Sequence, residues 1–362
     1  MATSGRAIAQ GLKSLGHSVY VVDGFADIDT RAAATEYKRV NRSHYSLDQH
    51  EVVKVVSELK TKSTFDGLFY DAALECNPNL LDEINISSVV GNTSQVLNTC
   101  KNPEVFFPSL DRLSISYPEI SLNPGLKNTE EGWLVKQAQS TGGFGVNHIT
   151  NDIAYGENSY IQKKIKGLNF SITFLANGEK VLALGFNTLW NEALNDDVPF
   201  AYSGAINYVN LEESVKQTAL DYIEVMTKEF ELLGLNSIDF IYANGSVYVL
   251  EINPRIPASY ELYETKNGEL MQEHIQACNI RQLPEVTRAH ILRAHAIVHA
   301  PSNITVPANM LWPLWTADRP HAQEVINKHE PVCSIFAGGQ NSAQVYEMIK
   351  TRKRSILAKL TE

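Results

Sequence analysis

Short apolar runs alternate with amphipathic stretches at the start of the chain. Over residues 8–15 the apolar positions recur at helical spacing, and Gly16 stops them. Val19-Tyr20-Val21-Val22 is a continuous apolar run, as a strand buried on both faces requires, and Asp23-Gly24 ends it. Residues 52–59 predict a second helix and 67–70 a further strand, before Val89-Val90 and Gly91-Asn92. The pattern predicts a small parallel α/β unit over residues 1–90. A strand is also expected ahead of Ser4-Gly5-Arg6, where only Met1 to Thr3 stand. That strand is either vestigial or shortened by loss of the start of the chain.

Further on the period changes. Separated strands, a glycine-rich run and the turn signals Pro124-Gly125, Asn177-Gly178 and Asn244-Gly245 mark the middle segment. The clearest helix covers residues 211–233, with Val215, Ala219, Tyr222, Ile223, Met226, Phe230 and Leu233 on one face. Gly234 is the expected C-cap. From about residue 290 alternating apolar positions return, followed by a turn-rich run over 313–320 and a last helix over 342–360.

Two constellations carry candidate chemistry. In the first, a short strand Trp133-Leu134-Val135-Lys136 delivers a lysine just ahead of Ser140-Thr141-Gly142-Gly143-Phe144-Gly145. Such glycines let backbone N–H groups approach an anion, and the lysine adds a point charge for phosphate oxygens. Alone this signal is weak, and it is not a Walker loop, since no Gly-Lys-Ser/Thr follows.

The second constellation is a hairpin. Ser237-Ile238-Asp239-Phe240-Ile241 and Val247-Tyr248-Val249-Leu250-Glu251-Ile252-Asn253 flank Asn244-Gly245. Alternation puts Glu251 and Asn253 on one face, two hard oxygen ligands suited to Mg²⁺. A two-residue turn would set Asp239 opposite Leu250, on the wrong face, so a loop of odd length is expected here to bring Asp239 to Glu251. Pro254-Arg255 follows at once and presents a guanidinium beside the proposed metal, unless Arg255 pairs with Glu261 or Glu264.

Composition narrows the field. The 362 residues are 44% hydrophobic and 20% charged, with a formal net charge of −10. An acidic chain without a clustered basic footprint argues against nucleic acid or an anionic membrane as its partner. The basic run at 350–354 reads as the solvated end of a helix. Cys76, Cys100, Cys278 and Cys333 lie far apart without CxxC spacing, as expected of reduced thiols in a cytoplasmic protein. No apolar run reaches the ~18 residues of a membrane span. His290, His295 and His299 are expected to be packing or surface groups, with no Ser-His or Cys-His motif beside them.

Leu250-Glu251-Ile252-Asn253-Pro254-Arg255 closely resembles the metal-binding strand of the ATP-grasp superfamily, whose fold clamps ATP between two α+β lobes. The resemblance implies an α/β and α+β architecture: a pre-ATP-grasp domain over 1–90, a small lobe over 91–160, and a large lobe with a C-terminal extension over 161–362. It implies Asp239, Glu251 and Asn253 as ligands of Mg²⁺ (or Mn²⁺), and Arg255 as the arginine that steadies an acyl phosphate. It also implies Lys101 and Lys136 on ATP phosphates, Gly142-Gly143 in the covering loop, and Gln162, Lys163 and Ile165 around adenine. Two departures stand out: Cys100 precedes Lys101 where the family usually has aspartate, and Gln162 replaces a glutamate.

The implied activity is carboxylate–amine ligation on small molecules through an acyl phosphate, with a homodimer as the family's common assembly. Trp315-Thr316-Ala317-Asp318-Arg319-Pro320, Pro331-Val332-Cys333-Ser334-Ile335, Ser4-Gly5-Arg6-Ala7 and Asp23-Gly24-Phe25-Ala26-Asp27 are similar to tyramine–glutamate ligase and related ATP-grasp proteins of methanofuran and tetrahydromethanopterin biosynthesis. That similarity implies glutamate as a substrate. The alternatives are a bicarbonate-using carboxylase of the same fold and an inactive nucleotide-binding subunit. The first domain and residues 187–205 are the expected walls of the substrate pocket.

Overall fold

A computed structural model describes residues 1–43, 46–122, 132–149, 158–264, 267–285 and 291–361. The turn signal Pro124-Gly125 and His290 lie outside these residues. Helix Arg6–Ser14 and strand Tyr20–Asp23 follow the apolar pattern, and Tyr20–Asp23 pairs in parallel with Glu36–Arg39. The short start of the chain does occupy a strand position. Ala2 bridges Asp23 in parallel, and the terminal ammonium of Met1 donates to the Phe69 carbonyl at 2.8 Å. On its far side Leu68 bridges Val89 in parallel.

The strand expected at 67–70 is thus reduced to one bridge. Just beyond it the Asp71 carboxylate accepts from the backbone N–H groups of Thr3 and Ala73 and caps the turn Ala72–Leu74.

Two antiparallel sheets follow. The smaller orders Ile120–Ser121, Ser159–Lys163, Trp133–Gln137 and Val146–His148. The larger orders Ser246–Asn253, Leu233–Ala243, Leu168–Asn177, Val181–Glu192, Ala201–Ile206, Leu292–His299, Pro331–Gly339 and Thr316–Ala317. The C-terminal segment therefore does not stand apart: its strands extend the large sheet through Ala201–Ile206, and helix Ser342–Thr361 packs on them.

Helix Glu213–Phe230 lays Val215, Ala219, Ile223, Met226 and Phe230 against Phe170, Phe174, Phe240 and Val249 of the large sheet. Burying these side chains holds one side of the sheet, at roughly 25 cal/mol per Å² of apolar surface. The helix ends earlier than its periodicity suggests. Glu231 takes the left-handed cap at φ 51°, and its N–H bonds the Thr227 carbonyl. Gly234, the expected cap, instead opens the next strand at φ 64°, where a Cβ would run into the His274 ring.

Candidate functional site

The hairpin of Leu233–Ala243 and Ser246–Asn253 decides the geometry of the site. Ala243 pairs with Ser246, so Asn244 and Gly245 alone make the turn, at φ 51° and 80°. The odd-length loop expected from the sequence is absent. Positive φ at both central residues is the form that matches the twist of paired strands, and Asn-Gly favours it. An unbroken ladder from this turn would place Asp239 against Leu250. The ladder breaks instead: Phe240 pairs with Val249 and Asp239 with Glu251, leaving Leu250 as the extra residue of a β-bulge. The bulge supplies the change of parity that the sequence reading assigned to the loop. Ser237 pairs with Asn253. Asp239, Glu251 and Asn253 therefore share one face.

The charges on that face are strongly perturbed. Burial, and then the charge of Glu251, pushes the Asp239 carboxyl up to about 7. Glu251 also bears the cost of burial, yet Lys101, Lys136 and Arg255 hold it below the usual carboxylate range. Burial lowers Lys136 against the opposing pull of Glu251 and Asp239. Two crowded carboxyl groups and an amide oxygen form a donor set that a hard divalent cation fits, because the cation replaces the proton the pair must otherwise retain. Among the described residues no three His, Cys, Asp or Glu side chains converge as a metal site. The third oxygen on this face is that of the Asn253 amide.

Three cations surround the face from three elements. Lys136 comes from the small sheet, Lys101 from the end of helix Ser94–Lys101, and Arg255 from just beyond the hairpin. Arg255 does not pair with Glu261 or Glu264. Its Nη2 lies 3.2 Å from Asn253 Oδ1 and 3.4 Å from Glu75 Oε2, while Lys101 Nζ lies 3.1 Å from Glu75 Oε1. Glu261 is taken by Arg6, and Glu264 accepts from the N–H groups of Leu270 and Met271.

A cavity of about 430 Å³ opens over this face, between the two sheets. At one end lie Gln162, Lys163, Lys164 and Ile165. Gln162 is only 2% exposed and its Nε2 has no protein partner, so it can serve a polar ligand. The glycine run roofs the middle. Gly142 and Gly143 stand at φ 64° and 81°, and the Gly142 carbonyl accepts from Tyr202 N–H at 2.9 Å. Gly143 abuts the Phe200 carbonyl, where a Cβ would clash. At the other end Arg6 forks between Glu261 and Asp318, with Nε 2.9 Å from Asp318 Oδ1. Tyr202 Oη lies 2.5 Å from His295 Nε2, whose ring burial and Arg6 push down to about 4.

A comparison with known families bears on the same residues. The family model described as "ATP-grasp domain" matches residues 100–259, which hold Lys101, Lys136, the glycine run and the entire hairpin. Residues 100–259 of this chain are thus similar to an ATP-grasp domain.

Beyond that domain the likeness covers nearly the whole chain. It is 24% identical over 353 residues to an uncharacterized protein of Methanocaldococcus jannaschii, spanning 92% of this chain and 85% of that one. It is 24% identical to the carbamoyl phosphate synthase large chain of Clostridium beijerinckii over 68% of its own length, but spans only 24% of that larger protein. Among solved structures, biotin carboxylase from Campylobacter jejuni has a similar fold at TM-score 0.73 and 12% identity, covering 96% of this chain and 87% of that one. L-amino acid ligase from Bacillus licheniformis has one at TM-score 0.71 and 14% identity, over 97% and 95% of the two chains.

Sequence reasoning missed several residues that line the cavity or brace it. Glu75 sits in the first segment with no motif to mark it, and Arg6 stands in the run Ser4-Gly5-Arg6-Ala7, to which no site role was given. His295, expected as packing, lines the cavity beside Tyr202. The run at 187–205 does contribute walls, through Leu189, Asn191, Phe200 and Tyr202.

Proposed function

We propose that the protein is an ATP-dependent carboxylate–amine ligase that forms an amide through an acyl phosphate. The observation that carries this reading is the shared face of Asp239, Glu251 and Asn253, ringed by Lys101, Lys136 and Arg255 under the glycine roof. Adenine would lie along residues 162–165, with Gln162 at its polar edge and Lys101 and Lys136 on the phosphates. The substrate carboxylate attacks the γ-phosphorus in line and ADP leaves; the amine then attacks the acyl carbon and phosphate leaves. Mg²⁺, or Mn²⁺ in its place, held by Asp239, Glu251 and Asn253, supplies neutralisation of the charge on the transferring oxygens. Arg255 and Lys136 hold those oxygens, and Arg255 is placed to stabilise the tetrahedral oxyanion. Gly142-Gly143, bonded to Tyr202, keep water from the intermediate.

The far end of the cavity favours an amine over bicarbonate. It sets Glu261 and Asp318 against Arg6, and Asp71 against the Met1 ammonium, which leaves one carboxylate in surplus for an ammonium group. The L-amino acid ligase fold relationship supports the same choice. Glutamate is the carboxylate to try first, on the similarity of residues 315–320 and 331–335 to tyramine–glutamate ligase, with a precursor of a one-carbon carrier as amine. We place the enzyme in the cytoplasm, as a homodimer.

A screen of amines and amino acids for ADP release tests the reading. It expects release that depends on an amine, needs no bicarbonate and is lost in Glu251→Gln. Bicarbonate-dependent release without an amine would favour the carboxylase. Turnover that survives Glu251→Gln would remove the proposed metal site.

A further inference from the structure

Glu75 has no part in the chemistry described so far, yet its side chain is fully buried and touches two of the three cations. It stands just past the short turn Ala72–Leu74, in the first segment, far in sequence from Lys101 and Arg255. Its place is fixed through neighbouring contacts. Tyr70 donates to the Asn92 carbonyl at 2.7 Å, and the Asn92 amide donates to the Pro254 carbonyl at 3.0 Å. The backbone immediately before Arg255 is thereby tied to the segment that holds Glu75.

The cluster is charged but incompletely bonded. Glu75 Oε1, Lys101 Nζ and Arg255 Nε are all buried without a hydrogen-bond partner, although Lys101 and Arg255 each lie within ion-pair distance of Glu75. Buried donors left open in this way are costly unless a ligand completes them. Both open donors are cationic, and both border the face of Asp239 and Glu251, so the missing partner is an anion. A carboxylate already between them stands where it supports the two cations and repels an anion that arrives alone.

We propose that Glu75 is a positioning residue that stands in for the polyphosphate: it keeps Lys101 and Arg255 aimed at the phosphate site and makes anion binding there depend on a divalent cation. This rests on the Mg·ATP reading above. A bare phosphate meets three carboxylates, Glu75, Asp239 and Glu251, against Lys101, Lys136 and Arg255. A phosphate that arrives with its cation brings the charge that the carboxylates lack.

Calorimetric titration of inorganic phosphate and of ADP, each with and without Mg²⁺, into wild type, Glu75→Gln and Glu75→Asp tests this. Glu75→Gln keeps the shape and removes the charge. It should bind phosphate and metal-free ADP about tenfold tighter, with a smaller gain on adding Mg²⁺. Glu75→Asp, which retains the charge, should stay near wild type. Phosphate affinity in Glu75→Gln equal to or below wild type overturns the proposal. Wild type that binds no Mg·ADP would instead overturn the nucleotide reading itself. Should Glu75→Gln not fold, Glu75→Gln with Lys101→Gln is compared with Lys101→Gln alone. Tighter phosphate binding by the double variant is expected, and equal or weaker binding overturns the proposal.

Discussion

Asp239 and Glu251 face each other across a hairpin whose two-residue turn would, on its own, have set them on opposite faces. Leu250 is the residue that brings them together, as the extra member of the bulge. Burial, and then the charge of Glu251, pushes the Asp239 carboxyl up to about 7. A site poised in this way exchanges stability for cation binding.

Asp239→Asn should therefore stabilise the metal-free protein at neutral pH, by roughly 1–2 kcal/mol, since it removes one of two crowded carboxylates. The same substitution should reduce metal-dependent ATP turnover at least about a hundredfold. Thermal melts in chelator, paired with an ATPase assay, check both halves. A variant less stable than wild type in chelator would count against the crowding.

Ligand-linked stability offers a second check. Mg²⁺ together with ADP should raise the melting temperature, by about 2.7 kcal/mol of stability at a hundredfold excess over the dissociation constant. Mg²⁺ alone should give little of this, because Lys101, Lys136 and Arg255 still lack the phosphates. Mn²⁺ should replace Mg²⁺, and Glu251→Gln should lose the shift. A shift of equal size from ADP in chelator would argue against the proposed ligand set.

Gly143→Ala probes the roof. At φ 81° against the Phe200 carbonyl there is no room for a Cβ, so the loop must lift from Tyr202. Turnover should fall about tenfold or more, with melting nearly unchanged because the loop buries little apolar surface. Proteolysis at the loop should become faster. Wild-type turnover would show that closure onto residues 200–202 is dispensable.

Much of this site was legible in the chain because it lies on regular strands. Lys136 at the end of an apolar strand, the glycines after it, and Glu251 and Asn253 two residues apart needed only periodicity. The means of bringing in Asp239 was not legible, since parity can be restored by a loop or by a bulge and Leu250 carries no mark of either. Glu75 was hidden for another reason: its role depends on how the first segment docks on the hairpin, a long-range matter settled by Tyr70, Asn92 and the Pro254 carbonyl. Gly234 misled because a glycine after a helix is read as its cap, whereas Glu231 bears the left-handed turn and Gly234 makes room for His274.

His274 joins three parts of the fold and gives the stability a pH dependence. Its Nδ1 accepts from Leu235 N–H at 2.9 Å and its Nε2 lies 3.1 Å from the Val90 carbonyl. Burial pushes the ring down to about 4 from an ordinary value of 6.5. Between those values the unfolded chain binds the proton that the folded ring refuses, so this ring's contribution to stability falls as pH drops from about 6.5 towards 4. The loss is on the order of 3 kcal/mol. Urea unfolding of wild type and His274→Gln at pH 7.5, 5.5 and 4.5 should show it as a difference: wild type should lose more stability, or gain less, than the variant as pH falls. An equal change in the variant would assign the effect to other groups.

The most direct measurement is a crystal structure with Mn²⁺ and ADP, with the metal located by its anomalous signal. The account predicts metal held by the oxygens of Asp239, Glu251 and Asn253, phosphates on Lys101 and Lys136, and the base beside Gln162. Metal away from these three side chains, or nucleotide outside the cavity they border, would contradict it.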